Sequence, residues 1–337
     1  MKSTTRTTPL MVALLVAILS GSSMPAAGTE IKKDYLETFD VSKGDRLQLV
    51  HGDGDVTITA WDKDQLEVSV KYDVEIKRVG VGKDPDFEVE FKQQGNTVTV
   101  IGKEKSMVAV GYVSRERYEY VYTIQAPRYL RLELKGDDGD VEIEGWEGEV
   151  ECALEDGDVS LAAMNSPRTS LNLEDGDVHV DGLAGDLELK ADDGDVHLSN
   201  LRQTHCRLEM EDGDLFIRDF SGDLVIRLDD GDVDVLRAET EKADIRAADG
   251  NIVLDLLRVD ELDLHVATGD GDITVDLPPD LSATFSIDVD DGRIRLDLPG
   301  AKIERDEEDS ASGTLGDGRG RIRIRSEEGR VTLKQRG

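Results

Sequence analysis

The chain has 337 residues, 38% hydrophobic and only 4% aromatic, and its 74 acidic against 40 basic side chains give a formal net charge of −34. A protein this anionic repels phosphate, which disfavours non-specific nucleic-acid binding and contact with anionic lipid. Val, Leu and Ile recur in strict order, which excludes intrinsic disorder, and the length admits one to three domains with a thin, aliphatic core.

At the N-terminus Lys2 and Arg6 precede an apolar run from Leu10 to Leu19, followed by Gly21, Ser22, Ser23 and Pro25-Ala26-Ala27-Gly28. The run is too short for a bilayer span, which takes ~20 residues. A basic start, a short apolar stretch and a small-residue exit predict a signal peptide over 1–28, cleaved near Gly28. No Cys stands there to carry lipid. No later segment is long and apolar enough for a membrane helix. The chain is therefore expected to be exported, to a periplasm, a cell surface or the medium.

Residues 29–128 hold a first Asp-Gly turn at Gly54 and then longer alternating runs: Leu66, Val68, Val70; Phe87, Val89, Phe91; Val98, Val100; Tyr118, Tyr120, Tyr122, Ile124. These predict a first coil near 45–62 and an antiparallel β cap over 63–128. Such a cap would cover strand edges that otherwise invite aggregation. The tyrosine stripe is expected to pack on this cap.

From 129 to 299 a repeat dominates. The Gly of an Asp-Gly pair recurs at 139, 157, 176, 194, 213, 231, 250, 271 and 292, mostly 18 or 19 residues apart. Positions three, five and seven before it are apolar or small, as in Leu187, Leu189 and Ala191. Positions two, four and seven after it are apolar again, as in Val178, Val180 and Leu183. Period-2 alternation predicts strands with one buried face, and Gly supplies the positive φ of sharp turns. One such unit cannot bury its face alone, so identical units stack on a shared core. The fold class is all-β: a single-chain parallel β-solenoid, or β-helix, with right-handed winding expected on crossover grounds. Cys152 and Cys206 fall three coils apart, ~14 Å at strand spacing. That exceeds the ~7 Å reach of a disulfide, so both are expected as buried free thiols.

The segment 300–320 is charged and rich in small residues, with little apolar content after Ile303, and reads as a mobile loop. Residues 321–337 form a final basic coil at the tip of an acidic rod.

The run YTIQAPRYLRLELKGDDGDVEIEG, the succession of DGDV-like turns and the ending GDGRGRIRIRSEEGRVTLKQRG resemble a bacterial "putative adhesin" family with a β-strand-repeat domain of otherwise unknown function. The resemblance covers roughly 40–337. It implies an exported β-solenoid of the cell envelope and transfers no catalytic residue. This sequence departs by placing Asp before the turn Gly where relatives commonly have Ser.

Stacking would align Asp138, Asp156, Asp175, Asp193, Asp212 and Asp230 before the Gly, and Asp140, Asp158, Asp177, Asp195, Asp214 and Asp232 after it. A further acidic column stands two before the Gly, from Asp137 to Asp229. Carboxylates ~5 Å apart repel by about 0.8 kcal/mol in bulk water and about 3 kcal/mol at an effective dielectric of about 20. Calcium bound to these Asp residues would offset that. So would hydrogen bonds from turn N–H groups to the Asp side chains. Asn251 and Arg293 break the column, so a calcium ridge would lie within 137–232. His179 and His197 share an outward offset and are expected to stack. On other outward columns Lys190, Glu209 and Arg227 alternate in sign, and Glu188 faces Arg207.

Three functions compete. The favoured one is a non-enzymatic, adhesin-like envelope or surface protein whose solenoid binds an envelope protein or surface polymer. The second is a calcium-dependent binding module using the Asp ridge. The third is a polysaccharide-acting β-helix enzyme, disfavoured because no Ser/His/Asp constellation, phosphate loop or HExxH occurs.

Overall fold

A computed structural model describes residues 27–105, 108–259 and 261–336. All but the last two residues of the expected signal peptide fall outside these. The described secondary structure is entirely β, with 25 strands joined in one hydrogen-bonded sheet.

The repeat winds as a parallel β-solenoid. The position five before the turn Gly shows the register: Leu134, Cys152, Leu171, Leu189, Leu208, Ile226, Ile245 and Val266 are successive parallel partners. All are buried. Each such Leu or Ile contributes roughly 1.5–3 kcal/mol by leaving water. Cys152 and Cys206 sit in these inward columns as buried free thiols. Burial pushes the Cys152 thiol up to about 12 and raises that of Cys206.

Three corners turn each coil. At the first, the Asp-Gly glycines from Gly139 to Gly271 have φ between +117° and +139°. A Cβ at any of them would lie inside 3.0 Å of the neighbouring coil's Gly backbone. Both the dihedral and the close approach therefore demand glycine. The second corner, six residues on, is a left-handed column that the sequence reading missed. Gly145, Ala163, Gly182, Asn200, Asp219 and Arg237 occupy it, with φ from +53° to +81°. The third corner produces the alternation of 18 and 19. Short copies carry Gly148 and Gly185 packed on backbone carbonyls. Long copies carry buried Ser166 and Thr240, whose hydroxyls donate to the carbonyls of Arg168 (2.8 Å) and Lys242 (2.9 Å).

Stack order departs from chain order at both ends. The coil formed by Arg46–Val50 and Asp55–Trp61 lies between two later segments. One side is the coil after residue 130. The other is a coil made from the start of Thr97–Lys105 and the end of Val108–Pro127. Outside this come antiparallel pairings of Ala27–Asp40 with Gln65–Lys83, of Gln65–Lys83 with Val108–Pro127, and of Asp86–Gln94 with Thr97–Lys105. Aromatic rings fill the cap: Tyr72 stacks on Phe87 at 4.8 Å, and buried Tyr120 and Tyr122 hold their hydroxyls 2.5 Å apart. Tyr118 remains 38% exposed.

At the other end two expectations are corrected. Residues 300–320 are not a loop. Lys302–Asp306 and Ser310–Leu315 form a hairpin, and its second strand pairs antiparallel with residues 283–288. Its inward residues Ala311, Gly313 and Leu315 alternate but are mostly small, and Gly313 lies against the Phe285 ring. Too little apolar mass marked the strand in sequence. The last coil in the chain is also not the tip of the rod. Gly320–Gln335 inserts between the coil ending at Leu277 and the strand Ala283–Asp297. Its exposed Arg321, Arg323 and Arg325 thus form a lateral rung. The outermost coil is 283–297. The hairpin covers its first half, and charged, exposed Arg293, Arg295 and Asp297 guard its second, as edge strands commonly are guarded.

Candidate functional site

The acidic edge is built by the first corner. Each Asp after the turn Gly uses its carboxylate to accept the backbone N–H of the equivalent residue in the next coil. The ladder runs from Asp140 to Asp158 N–H (3.0 Å), Asp158 to Asp177 (2.8 Å), Asp177 to Asp195 (2.8 Å), Asp195 to Asp214 (2.9 Å) and Asp214 to Asp232 (2.9 Å). It begins with Asp55, which accepts from Asp140. Asn251 does not break it, because its Oδ1 accepts the Asp272 N–H at 2.9 Å, and Asp272 in turn accepts from Arg330. The hydrogen-bonded ladder therefore continues past residue 232, through Asn251 to Asp272. An amide oxygen serves as well as a carboxylate, so the ladder requires an acceptor rather than a charge.

The Asp row before the Gly differs. Asp138, Asp156, Asp175, Asp193, Asp212 and Asp230 are exposed. Their backbones pair across coils, as Asp156 does with Asp138 and Asp175. Partial burial, then the facing charges of Asp156 and Asp53, raises the Asp138 carboxyl above its ordinary range. Asp175 is raised by burial and then by Asp193. Among the described residues, no group of three or more His, Cys, Asp or Glu side chains converges as metal ligands would. One oxygen of each ladder carboxylate is already committed to backbone.

The adjoining face carries the second feature. His179 and His197 are register partners whose rings stack at 4.9 Å and 6°. Phe216, partner of His197, continues the row at 5.9 Å and 41°. This stretch borders a shallow depression shared with Ala162, Asp181, Ser199 and Arg218. No sequence motif marks Phe216. Its signal is the offset it shares with the histidines. On the remaining face the register sets Glu188 beside Arg207 and Glu209 between Lys190 and Arg227, as expected; the ion pairs formed are Lys190–Glu209 at 3.2 Å, Arg168–Glu188 at 2.8 Å and Arg227–Asp244 at 2.7 Å. Such exposed pairs contribute little, typically about 0–1 kcal/mol.

The Toastrack DUF4097 profile matches residues 45–220 and 183–334. No curated protein matches the sequence. Among solved structures the chain is similar to a "putative adhesin" of Bacteroides fragilis at 12% identity, covering 90% of this chain and 97% of that one with a TM-score of 0.32. It is similar to a "putative cell adhesion protein" of Clostridium sporogenes at 11% identity, covering 91% and 100%, TM-score 0.26. It is also similar to a "putative lipid binding protein" of Parabacteroides distasonis at 14% identity, covering 89% and 97%, TM-score 0.36.

Proposed function

The chain belongs to the Toastrack DUF4097 family, and from that premise we propose that it is an exported, non-enzymatic, adhesin-like protein of the cell envelope or surface, whose solenoid displays a binding surface to an envelope protein or surface polymer. The observation that supports this reading is repetition. Eleven turn glycines stack on one another from Gly54 through Gly139 and Gly271 to Gly329 and Gly292. Outward side chains consequently stand in columns at ~4.8 Å spacing. A rigid surface of equivalent positions suits a repeating or extended partner. Carboxylates recur so evenly that no pair is singled out as an acid/base couple.

Recovery of partners from envelope extract, with and without EDTA, tests it. A specific protein or polymer retained in both conditions supports the reading. Retention only with calcium would transfer the function to the Asp edge as a cation-dependent module. Turnover of a glycan by the purified chain would overturn the non-enzymatic assignment.

A further inference from the structure

Three rings face outward on consecutive coils: His179, His197 and Phe216. Both histidines are exposed and Phe216 is half-buried. Folding does not require rings here, because the core on these strands is carried by their inward neighbours, Val178 and Val180, Val196 and Leu198, Leu215 and Ile217. The sequence is also sparing with aromatics. Of the three Phe residues after position 129, Phe220 and Phe285 are buried, and Phe216 alone presents its ring to solvent.

Beside this aromatic row runs a polar one. Asp181, Ser199 and Arg218 are register partners on the same three coils, with Ala162 on the coil before them. The small Ala162 side chain leaves the depression open at that end. Hydrogen bonds from Asn200 (2.6 Å) and from the Ser199 hydroxyl (2.9 Å) reach the Asp181 carboxylate. Arg218 is exposed, and its guanidinium makes no hydrogen bond or ion pair with another described residue. A weakly apolar row of rings, two stacked and the third tilted by 41°, is thus flanked by an anchored acceptor, a hydroxyl and an uncommitted donor.

A sugar ring has that chemistry in reverse, with a C–H face that packs on aromatic rings and a rim of hydroxyls that needs donors and acceptors. Both rows repeat at the strand spacing of ~4.8 Å, so neighbouring rings of an oligomer meet the same pair of columns. Charge narrows the class. Two residues before each ring stand Asp177, Asp195 and Asp214 of the acidic ladder, and these repel anionic saccharides. We propose that this face binds a neutral oligosaccharide, with its rings on His179, His197 and Phe216 and its hydroxyls bonded to Asp181, Ser199 and Arg218. The proposal rests on the reading of the solenoid as a display surface and assigns that surface a ligand class.

The test uses the full mature chain with 15N-labelled histidine, titrated with cellohexaose, chitohexaose, maltohexaose and, as an anionic control, polygalacturonate. Five histidines report. A neutral hexasaccharide is expected to move the imidazole signals of His179 and His197 and leave His51, His205 and His265 in place. Phe216→Ser, at an outward position, is expected to keep the melting temperature and to weaken binding about tenfold, equivalent to about 1.4 kcal/mol. Movement of neither signal with any neutral probe, movement with polygalacturonate alone, or unweakened binding by Phe216→Ser would each overturn the proposal. Envelope recovery separates the two levels. If wild type and Phe216→Ser retain the same envelope material, the site falls and the display reading stands. If wild type retains none, the display reading falls as well.

Discussion

The imidazole of His51 occupies the space that a side chain at position 136 would need: a Cβ on Gly136 would lie inside 3.0 Å of the ring. His51 stands three before Gly54, in the inward column that holds Leu154 and Leu173 in later coils. It is 1% exposed, and neither ring nitrogen has a hydrogen-bond partner.

This burial makes stability depend on pH. Desolvation holds the folded His51 pKa below its ordinary value of 6.5. As pH falls through about 6.5 the unfolded chain takes up a proton that the native chain refuses, so stability declines with falling pH until the folded group also titrates. Urea midpoints at pH 7.5 and 5.0 should show the wild type losing more stability than His51→Met. Equal losses in the two proteins would remove His51 as the cause.

Thr169 interrupts an inward column between Val150 and Leu187. It is 0% exposed and its hydroxyl has no partner. Thr169→Val keeps the shape and removes an unsatisfied polar atom, and should stabilise by about 1 kcal/mol. Chemical denaturation measures this, and an unchanged or lower midpoint would mean that the hydroxyl is satisfied in solution.

The Asp ladder asks for an acceptor at each rung. Asp195→Ala removes the partner of the Asp214 N–H and should cost about 0.5–1.5 kcal/mol. Asp195→Asn keeps an acceptor, as Asn251 does naturally, and should cost less. Thermal melts of the two variants decide it. Equal losses would show that the rung depends on the carboxylate charge.

At the second corner Ala163 is exposed with φ +53°. A left-handed conformation costs an L-residue roughly 1–2 kcal/mol. Ala163→Gly relieves this strain against a smaller entropic cost and should raise the melting temperature. A lower melting temperature would show that the corner tolerates alanine without strain.

The solenoid was legible because its determinants are local. Leu187, Leu189 and Ala191 alternate beside Gly194 in every comparable coil, and only stacking reconciles that pattern with burial. The second corner was less legible, because Ala163 and Arg237 hide a column that Gly145, Gly182, Asn200 and Asp219 would otherwise have announced. The hairpin over 302–315 escaped because Ala311 and Gly313 fill their places with almost no apolar mass. The sequence carries no mark of the fit between His51 and Gly136, because the two residues meet only across neighbouring coils.

Alternation, turn glycines and the acidic column are written in the sequence, because each is set by neighbours within one coil and repeats eighteen or nineteen residues later. Which coil lies on which was decided only in three dimensions. Residues 46–61 and 320–335 both slot between segments distant in the chain. Every coil offers two nearly equivalent backbone edges, so local pattern cannot say which edge a returning strand will take. The choice depends on cap and hairpin packing against the free edges.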